Sequence, residues 1–353
     1  MVFQKDIFSS SRPSWIKAES TLSEIVGEVS EYFPDDFLPL TSVPMYSSAL
    51  EINSSNIKVF CNGSNLLLKR WPDNTNIARV NEVLKLMQRL PSKKLSVPSP
   101  INFKNGSLVL DDGESLWSLY PFVEGDYFSG IKKELKAVAK TTALLTLRLQ
   151  ELDGKDFSLF KSLNHLTDFE SETLVQLEKN KNSWQRFFGS DDAQLLEKNW
   201  IIIKNEWNRL SEENIFAGPV QLAHCDLHPH NILMRDSEVA AILDFDGCKK
   251  TSVGYAVAYG ALKQCRQALV ASGNTAQAKE VGQTYIDNIN YYIPSSDNWT
   301  SNFYDLAITE TLRRLCLIFH FNLDYNDPSW NKVLPVLLTH IEEAKLLFHP
   351  LSD

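Results

Sequence analysis

The sequence predicts an α+β fold in two lobes, with a small antiparallel sheet and one main helix in the N-terminal lobe and mostly helices in the C-terminal lobe. Two dipeptides, Asn62-Gly63 and Asn105-Gly106, each separate β-favouring runs, a pattern typical of hairpins. After about residue 126, apolar residues recur at helical spacing. At 353 residues the chain can bury two cores. We therefore predict one lobe over residues 1–122 and a second over residues 123–353.

The N-terminal lobe is predicted to begin with a helix. Its apolar residues Leu22, Ile25 and Val29 share one face, and Pro34 ends the pattern. A meander of about five antiparallel strands follows, interrupted by one helix over about Asn76 to Leu90. The predicted strands are Asn56–Cys61, Asn65–Trp71, Ile101–Lys104, Ser107–Leu110 and Leu116–Phe122.

The C-terminal lobe is predicted to consist mainly of amphipathic helices. They span Ile131–Leu152, Leu166–Lys181, Gln194–Leu210, Val253–Ser272, Thr275–Ile293, Asn302–Leu323 and Trp330–Phe348. Five aromatic residues of this lobe are candidates for lining a substrate pocket, and core packing is the alternative for each. These residues are Trp200, Trp207, Tyr255, Tyr259 and Trp330.

A polar loop among these helices is suited to binding a metal ion. It runs from His224 to Asn231 and leads into two short apolar strands, Ile232–Met234 and Val239–Leu243. A hairpin so placed brings Asn231, which enters it, close to Asp244, which leaves it. An amide oxygen beside a carboxylate makes a hard oxygen site suited to Mg²⁺.

Asp226 precedes Asn231 on the same loop and can accept a hydrogen bond from an incoming hydroxyl. Phosphoryl transfer requires this combination of an orienting carboxylate with an Asn and an Asp that hold metal. A zinc site built from Cys225, His228 and His230 is the alternative. The sequence lacks the paired CxxC ligands common in such sites, so zinc is disfavoured.

The pattern H-x-D-x-x-x-x-N followed by I-x-D-F-D resembles the aminoglycoside phosphotransferase and choline kinase family, a small-molecule branch of the protein-kinase-like fold. Many members carry H-G-D-L-H-x-x-N, from which Cys225 is a mild departure. The resemblance implies a two-lobed protein-kinase-like fold, with Asp226 as the catalytic carboxylate and Asn231 and Asp244 as magnesium ligands. It also implies an ATP- and Mg²⁺-dependent kinase that transfers the γ-phosphoryl group to a hydroxyl of a sugar, aminoglycoside or amino alcohol.

The same resemblance assigns nucleotide-binding residues in the N-terminal lobe. Lys69, on a predicted strand, would contact the ATP phosphates and pair with Glu82 on the predicted helix. The phosphate-covering loop would lie near Ser54, in a Ser- and Asn-rich segment without glycine. Backbone groups near Phe122 and Val123, in the hinge between the lobes, would meet the adenine edge.

One position departs from the family pattern. Ala256 stands where members commonly carry an Asp at the start of a helix, so the usual support of the catalytic loop is missing or replaced. Two other functions remain as alternatives. A non-catalytic nucleotide-binding pseudokinase or scaffold is favoured by that missing Asp and by the glycine-free loop. A protein kinase is disfavoured because no activation segment ends in Ala-Pro-Glu.

Composition narrows the choice of partners. The net charge of -9 disfavours nucleic acid and anionic membranes. Five scattered cysteines predict thiols in a reducing compartment, and no segment resembles a signal peptide or a membrane span. We expect a cytoplasmic monomer or homodimer whose partners are ATP and a small hydroxyl acceptor. An aminoglycoside would favour an acidic pocket, to which Glu212, Glu213 or Asp305 could contribute, whereas a sugar would favour Asn, Asp and aromatic groups.

Overall fold

A six-stranded antiparallel sheet forms the N-terminal lobe of the computed structural model, which describes residues 15–17, 20–47, 55–154, 157–163, 168–213, 215–293 and 299–349. The strands are β1 (Trp15–Lys17), β2 (Met45–Ser47), β3 (Ser55–Cys61), β4 (Ser64–Arg70), β5 (Leu110–Asp111) and β6 (Leu116–Pro121), in the spatial order β1-β2-β3-β4-β6-β5. Every neighbouring pair is antiparallel. The predicted antiparallel sheet is therefore confirmed, with one strand more than expected.

Alternation along β4 assigns its side chains to two faces. Leu66 and Leu68 are buried in a cluster with Val26 and Val29 of helix α1 (Ser20–Ser30). Lys69 has the opposite phase and therefore lies on the other face of the sheet. That face is turned toward the C-terminal lobe, because Lys69 forms its ion pairs with residues of that lobe.

The second predicted hairpin is wrong. The turn forms, with the Gly106 N–H donating to the Phe103 carbonyl over 2.8 Å, but the strands expected on either side of it do not. The Asn105 side chain accepts from the Ser107 N–H over 2.9 Å, and such local bonds compete with a strand ladder. Ile101 instead makes an isolated bridge to β6.

Helix α2 (Ile77–Arg89) begins where the sequence predicts, because the Asn76 side chain accepts from the N–H groups of Ala78 and Arg79 at 2.9 and 3.1 Å. Its apolar face, which includes Val80 and Leu84, belongs to the same buried cluster as the C-terminal helices. The cluster under α1 is separate. Packing therefore ties α2 to the C-terminal lobe, and the proposed boundary at residues 122 and 123 stays a prediction.

The C-terminal lobe contains the predicted long helices and two small sheets. Its elements are β7 (Asp126–Tyr127), α3 (Lys132–Leu152), α4 (Asp168–Lys179), α5 (Trp184–Phe188), α6 (Ser190–Glu212), β8 (Val220–Ala223), β9 (Ile232–Arg235), β10 (Glu238–Ile242), β11 (Lys249–Ser252), α7 (Val253–Ser272), α8 (Ala278–Tyr292), α9 (Phe303–Tyr325) and α10 (Leu334–Phe348). One sheet has the order β10-β9-β7, and the other pairs β11 with β8. Within the described ranges, no helix has both the length and the apolarity needed to cross a bilayer.

Candidate active site

The loop between β8 and β9 is attached to the segment that follows β10. The Leu243 N–H donates to the Asn231 carbonyl over 2.9 Å. Nε2 of His224 lies 2.9 Å from the Leu243 carbonyl, and the His224 ring packs edge-on against Phe245 with centroids 4.7 Å apart. Asp244, between Leu243 and Phe245, is thereby placed beside Asn231. The hairpin has brought together the two groups expected to hold metal.

Asn231 and Asp244 have the chemistry of a magnesium site. The Asn231 Nδ2 donates to the Asp226 carbonyl over 2.8 Å, which orients the amide and leaves its Oδ1 without a partner in the described chain. Asp244 has a φ of 57°, which Asp tolerates better than most residues, and its side chain is 38 % exposed. An unpartnered amide oxygen and an accessible carboxylate fit Mg²⁺, which takes oxygen ligands and retains waters.

Lys69 reaches this site from β4. Its Nζ lies 3.3 Å from Asp244 Oδ1 and 2.6 Å from Asp246 Oδ2, and its side chain is 11 % exposed. Burial alone would raise the pKa of Asp244, but the Lys69 ammonium lowers that pKa below its usual range. Asp244 is therefore ionised at neutral pH. Sequence reasoning had not singled out Asp246, although it is the second Asp of the Asp-Phe-Asp motif.

Asp226 is paired with an arginine that sequence reasoning missed. Arg314 of α9 places Nη1 3.2 Å from Asp226 Oδ1, donates to the Cys225 carbonyl over 2.6 Å and meets Glu310 at 2.8 Å. Burial would raise the pKa of Asp226, but the Arg314 guanidinium lowers it well below its usual range. The ionised Asp226 can orient a hydroxyl through its second oxygen. The sequence signal for Arg314 was weak, because α9 also carries the charged residues Asp305, Glu310, Arg313 and Asp324.

His228 lies beside the Asp226 carboxylate as a neutral ring. Its Nδ1 accepts from the His230 N–H over 3.2 Å, so its proton is on Nε2, which lies 3.7 Å from Asp226 Oδ2. Burial lowers the pKa of His228 to about 4, against the opposing effect of Asp226. His228 therefore adds no charge to the site at neutral pH.

The sequence also matches a known protein family. Residues 48–286, more than half of the chain, match the phosphotransferase enzyme family, APH. The chain belongs to this family. The protein is therefore a phosphotransferase, as the loop motif predicted. None of the curated proteins matches the sequence.

Solved structures similar to this phosphotransferase share its two-lobed fold. A spectinomycin phosphotransferase in complex with ADP and spectinomycin is 10% identical, with a TM-score of 0.67 over 92% of this chain and 97% of that chain. The amicoumacin kinase hAmiN is 15% identical, with a TM-score of 0.60 over 94% and 96% of the two chains. A microcompartment-associated aminopropanol kinase is 15% identical, with a TM-score of 0.56 over 91% and 94%. At these identities the likeness confirms the kinase-like α+β fold alone.

The predicted pair of Lys69 and Glu82 is corrected by the structure of the phosphotransferase. Glu82 is buried, and its Oε1 accepts from the Leu159 N–H over 3.0 Å. Its Oε2 lies 3.9 Å from Arg79 Nη1, one helical turn away. The register of α2 turns Glu82 toward the C-terminal lobe, so no ion pair joins it to Lys69 among the described residues. The assignment of Glu82 to nucleotide binding stays a prediction.

The hinge residues lie at the end of β6. The Phe122 N–H already donates to the Asn65 carbonyl over 3.0 Å, so that donor is not available to adenine. In the described chain, the backbone N–H and C=O of Val123 have no hydrogen-bond partner. A Cβ on Gly125 would lie 2.9 Å from the Met234 carbonyl, which excludes larger residues at this turn. Ser54 lies outside the described residues.

A small cavity lies behind the catalytic loop, at the position of the missing Asp. Its volume is about 20 Å³, and Ala256, His224 and Gln221 are among its lining residues. Nδ1 of His224 is buried without a hydrogen-bond partner. Ala256 therefore gives the loop no polar support, and the loop depends on the contacts of Leu243, Phe245 and Arg314 instead.

The aromatic candidates of the C-terminal lobe have different environments. Trp200 is buried and packs edge-on against Trp184, with centroids 5.2 Å apart. Trp207 is also buried, whereas Trp330 is 42% exposed. Tyr259 contacts the site directly, because the Arg314 guanidinium lies 4.3 Å from the centroid of its ring.

Proposed function

We propose that this phosphotransferase uses ATP and Mg²⁺ to phosphorylate a hydroxyl group of a small molecule. The observation that carries the proposal is the convergence of Lys69, Asp244 and Asn231 around the loop of Asp226. Two structural neighbours support the choice of nucleotide. The spectinomycin phosphotransferase binds ADP, and amicoumacin kinase binds AMP-PNP and Ca²⁺.

On the nucleotide side, Lys69 would exchange its carboxylate partners for the phosphates, and the backbone of Val123 would bond the adenine edge. Asn231 and Asp244 would hold Mg²⁺, which when bound neutralises charge developing on the phosphates. Gly247 keeps this region close to the acceptor loop, because a Cβ there would lie 3.2 Å from Asp226 Cβ.

On the acceptor side, Asp226 would orient the attacking hydroxyl. Arg314 occupies Oδ1, so Oδ2 is the oxygen that accepts the hydroxyl hydrogen bond. A carboxylate with a lowered pKa is a weak base, so its main contribution is alignment of the nucleophile. Such positioning suffices for a loose phosphoryl-transfer transition state, which demands little proton removal before bond cleavage.

An acceptor screen tests the proposal. The enzyme is incubated with ATP, Mg²⁺ and a panel of sugars, amino alcohols, hydroxy acids and aminoglycosides, and phosphorylated products are identified by mass spectrometry. Asp226→Asn is expected to lower product formation about 10³-fold and to leave the nucleotide Kd within about threefold. Asp191→Asn, in an exposed first turn of α6, is the matched control and should transfer normally.

Nucleotide binding without transfer is the second candidate function, because Ala256 leaves His224 Nδ1 without a partner. Tight ATP binding with no phosphorylated product from any acceptor class would establish this second candidate and reject the first.

A further inference from the structure

The helix that follows the metal hairpin packs directly against the acceptor side of the catalytic loop. The Gln264 Nε2 donates to the Leu227 carbonyl over 3.0 Å, and a Cβ on Gly260 would lie 3.2 Å from the same oxygen. Lys263 adjoins Gln264 in this turn of α7. Residues three to four apart share a helix face, so Lys263 lies one helical turn after Tyr259, next to the loop that contains Leu227.

Two cations flank the Tyr259 ring. The Arg314 guanidinium lies 4.3 Å from the ring centroid, and the Lys263 ammonium lies 5.6 Å from it. Their bonding differs. Arg314 is occupied by Asp226 and Glu310, whereas Lys263 forms no ion pair with any described residue. The Tyr259 hydroxyl also has no hydrogen-bond partner in the described ranges.

His340 of α10 indicates the sign of the electrostatic potential around the Tyr259 ring. It is fully buried, its ring centroid is 6.0 Å from that of Tyr259, and neither of its ring nitrogens has a partner. Burial and the Lys263 ammonium together hold the pKa of His340 well below its usual range. His340 is therefore neutral, and the positive charge beside Tyr259 comes from Lys263 and Arg314, with Lys263 also close enough to Asp226 to lower the pKa of that carboxyl.

Two of the acidic residues that could have bound a polycation, Glu213 and Asp305, are engaged by Arg209. Arg209 pairs with Asp305 at 2.6 Å, with Glu206 at 2.8 Å and with Glu213 at 3.1 Å. Asp305 also lies about 13 Å along α9 from Arg314, at a rise of about 1.5 Å per residue. Glu213 and Asp305 therefore do not contribute an acidic pocket next to Asp226.

We propose that the acceptor of this phosphotransferase is an alcohol that carries a carboxylate near the reacting hydroxyl, with Lys263 as the specificity-determining residue. The carboxylate pairs with the Lys263 ammonium and accepts from the Tyr259 hydroxyl, while the hydroxyl of the acceptor meets Asp226. Repulsion from Lys263, which no ion pair engages among the described residues, disfavours polycationic acceptors. The inference rests on the proposed phosphotransfer and specifies its substrate class.

A charge-sorted acceptor library tests this inference. Alcohols are matched in scaffold and presented as carboxylate, neutral and cationic forms, for example D-glucuronate, D-glucose and D-glucosamine, or D-glycerate, glycerol and 3-amino-1,2-propanediol. The highest kcat/KM values are expected among carboxylates. Preferred transfer to neutral or cationic alcohols would overturn the inference and leave the proposed function standing. Absence of product from all three classes would overturn both.

Substitution of Lys263 separates acceptor recognition from a role at the phosphoryl group. With the best carboxylate acceptor, Lys263→Gln should raise the acceptor KM about 10- to 100-fold and leave the KM for ATP within twofold, because one charge-assisted bond is lost. Lys263→Arg should recover most of the affinity. Lys136→Gln, at an exposed position of α3, is the matched control. A loss of kcat shared equally by all acceptors would place Lys263 at the phosphoryl group and refute the carboxylate site.

Discussion

The nucleotide side and the acceptor side of the site use opposite arrangements of charge. On the nucleotide side one cation, Lys69, lies between two carboxylates, Asp244 and Asp246, at 3.3 and 2.6 Å. On the acceptor side one carboxylate, Asp226, faces an arginine that is held by three partners, and the nearby Lys263 has no acidic partner among the described residues. The two sides are joined by the short hairpin between Asn231 and Asp244.

The difference separates groups that must change partners from groups that stay in place. Lys69 and Asp244 neutralise each other, and under the proposed function a metal and phosphates would take over both roles. Arg314 is held by Glu310 and the Cys225 carbonyl, neither of which is proposed to bind ligand, so Asp226 is oriented before any acceptor arrives. Preorganisation of this kind lowers the reorganisation needed during the reaction.

Substitution of the metal carboxylate should have the largest effect. Asp244→Asn removes the charged ligand proposed for Mg²⁺ and the partner of Lys69, and we expect kcat to fall about 10⁴-fold. Asp246→Asn, which removes the other carboxylate partner of Lys69 but no proposed metal ligand, should cost about tenfold in kcat. Initial rates across a magnesium titration measure both. Equal losses in the two variants would contradict the separate roles assigned to these carboxylates.

Loss of the acceptor-side arginine should have a smaller effect on rate but a distinctive pH dependence. Arg314→Leu removes the charge that lowers the pKa of Asp226, so that pKa should rise. Activity that requires ionised Asp226 is lost as pH falls through its pKa, so the acid limb of the kcat profile should move to higher pH. We expect kcat to fall about tenfold at pH 7.5. An unmoved acid limb would show that Arg314 does not act through Asp226.

His228 should make the protein less stable in acid. The unfolded chain protonates this residue near pH 6.5, whereas burial lowers the pKa to about 4 in the folded state. The stability contributed by the neutral ring is therefore complete above pH 6.5 and is lost as pH falls toward 4, amounting to about 3 kcal/mol. His228→Gln should flatten the unfolding free energy over this window in urea titrations with EDTA present. If the unfolding free energy of this variant changes with pH as steeply as that of the wild type, His228 is not the buried neutral group responsible.

The smallest expected effect concerns the small cavity next to Ala256, behind the loop that carries Asp226. Ala256→Ser places a hydroxyl beside the unpartnered His224 Nδ1 and should stabilise the fold by about 1 kcal/mol. Ala261→Ser on the same helix is the control, because Ala261 is fully buried in the apolar core and the new hydroxyl should destabilise it. Thermal unfolding of both variants provides the comparison, and a destabilised Ala256→Ser would exclude the hydroxyl–imidazole bond.

Elements with strong local signals were predicted closely. Asn76 capped α2, Asn62-Gly63 joined β3 to β4, and the long helix Val253–Ser272 was found with its predicted limits. The second hairpin failed, because side-chain bonds around Asn105 outcompeted strand pairing. Turn chemistry specifies a turn, but whether strands extend from it depends on the partners that the sheet offers.

The sequence by itself determined which segments carry the chemistry, because the loop motif and the Asp-Phe-Asp motif are local and their spacing survives in any fold that pairs β9 with β10. Only the tertiary structure decided which charges meet. Glu82 turned away from Lys69 because the packing of α2 set its register, and Arg314 reached Asp226 from a helix 88 positions along the chain. Ion pairs between distant elements depend on crossing geometry and side-chain direction, and neither quantity is encoded in the local pattern of residues.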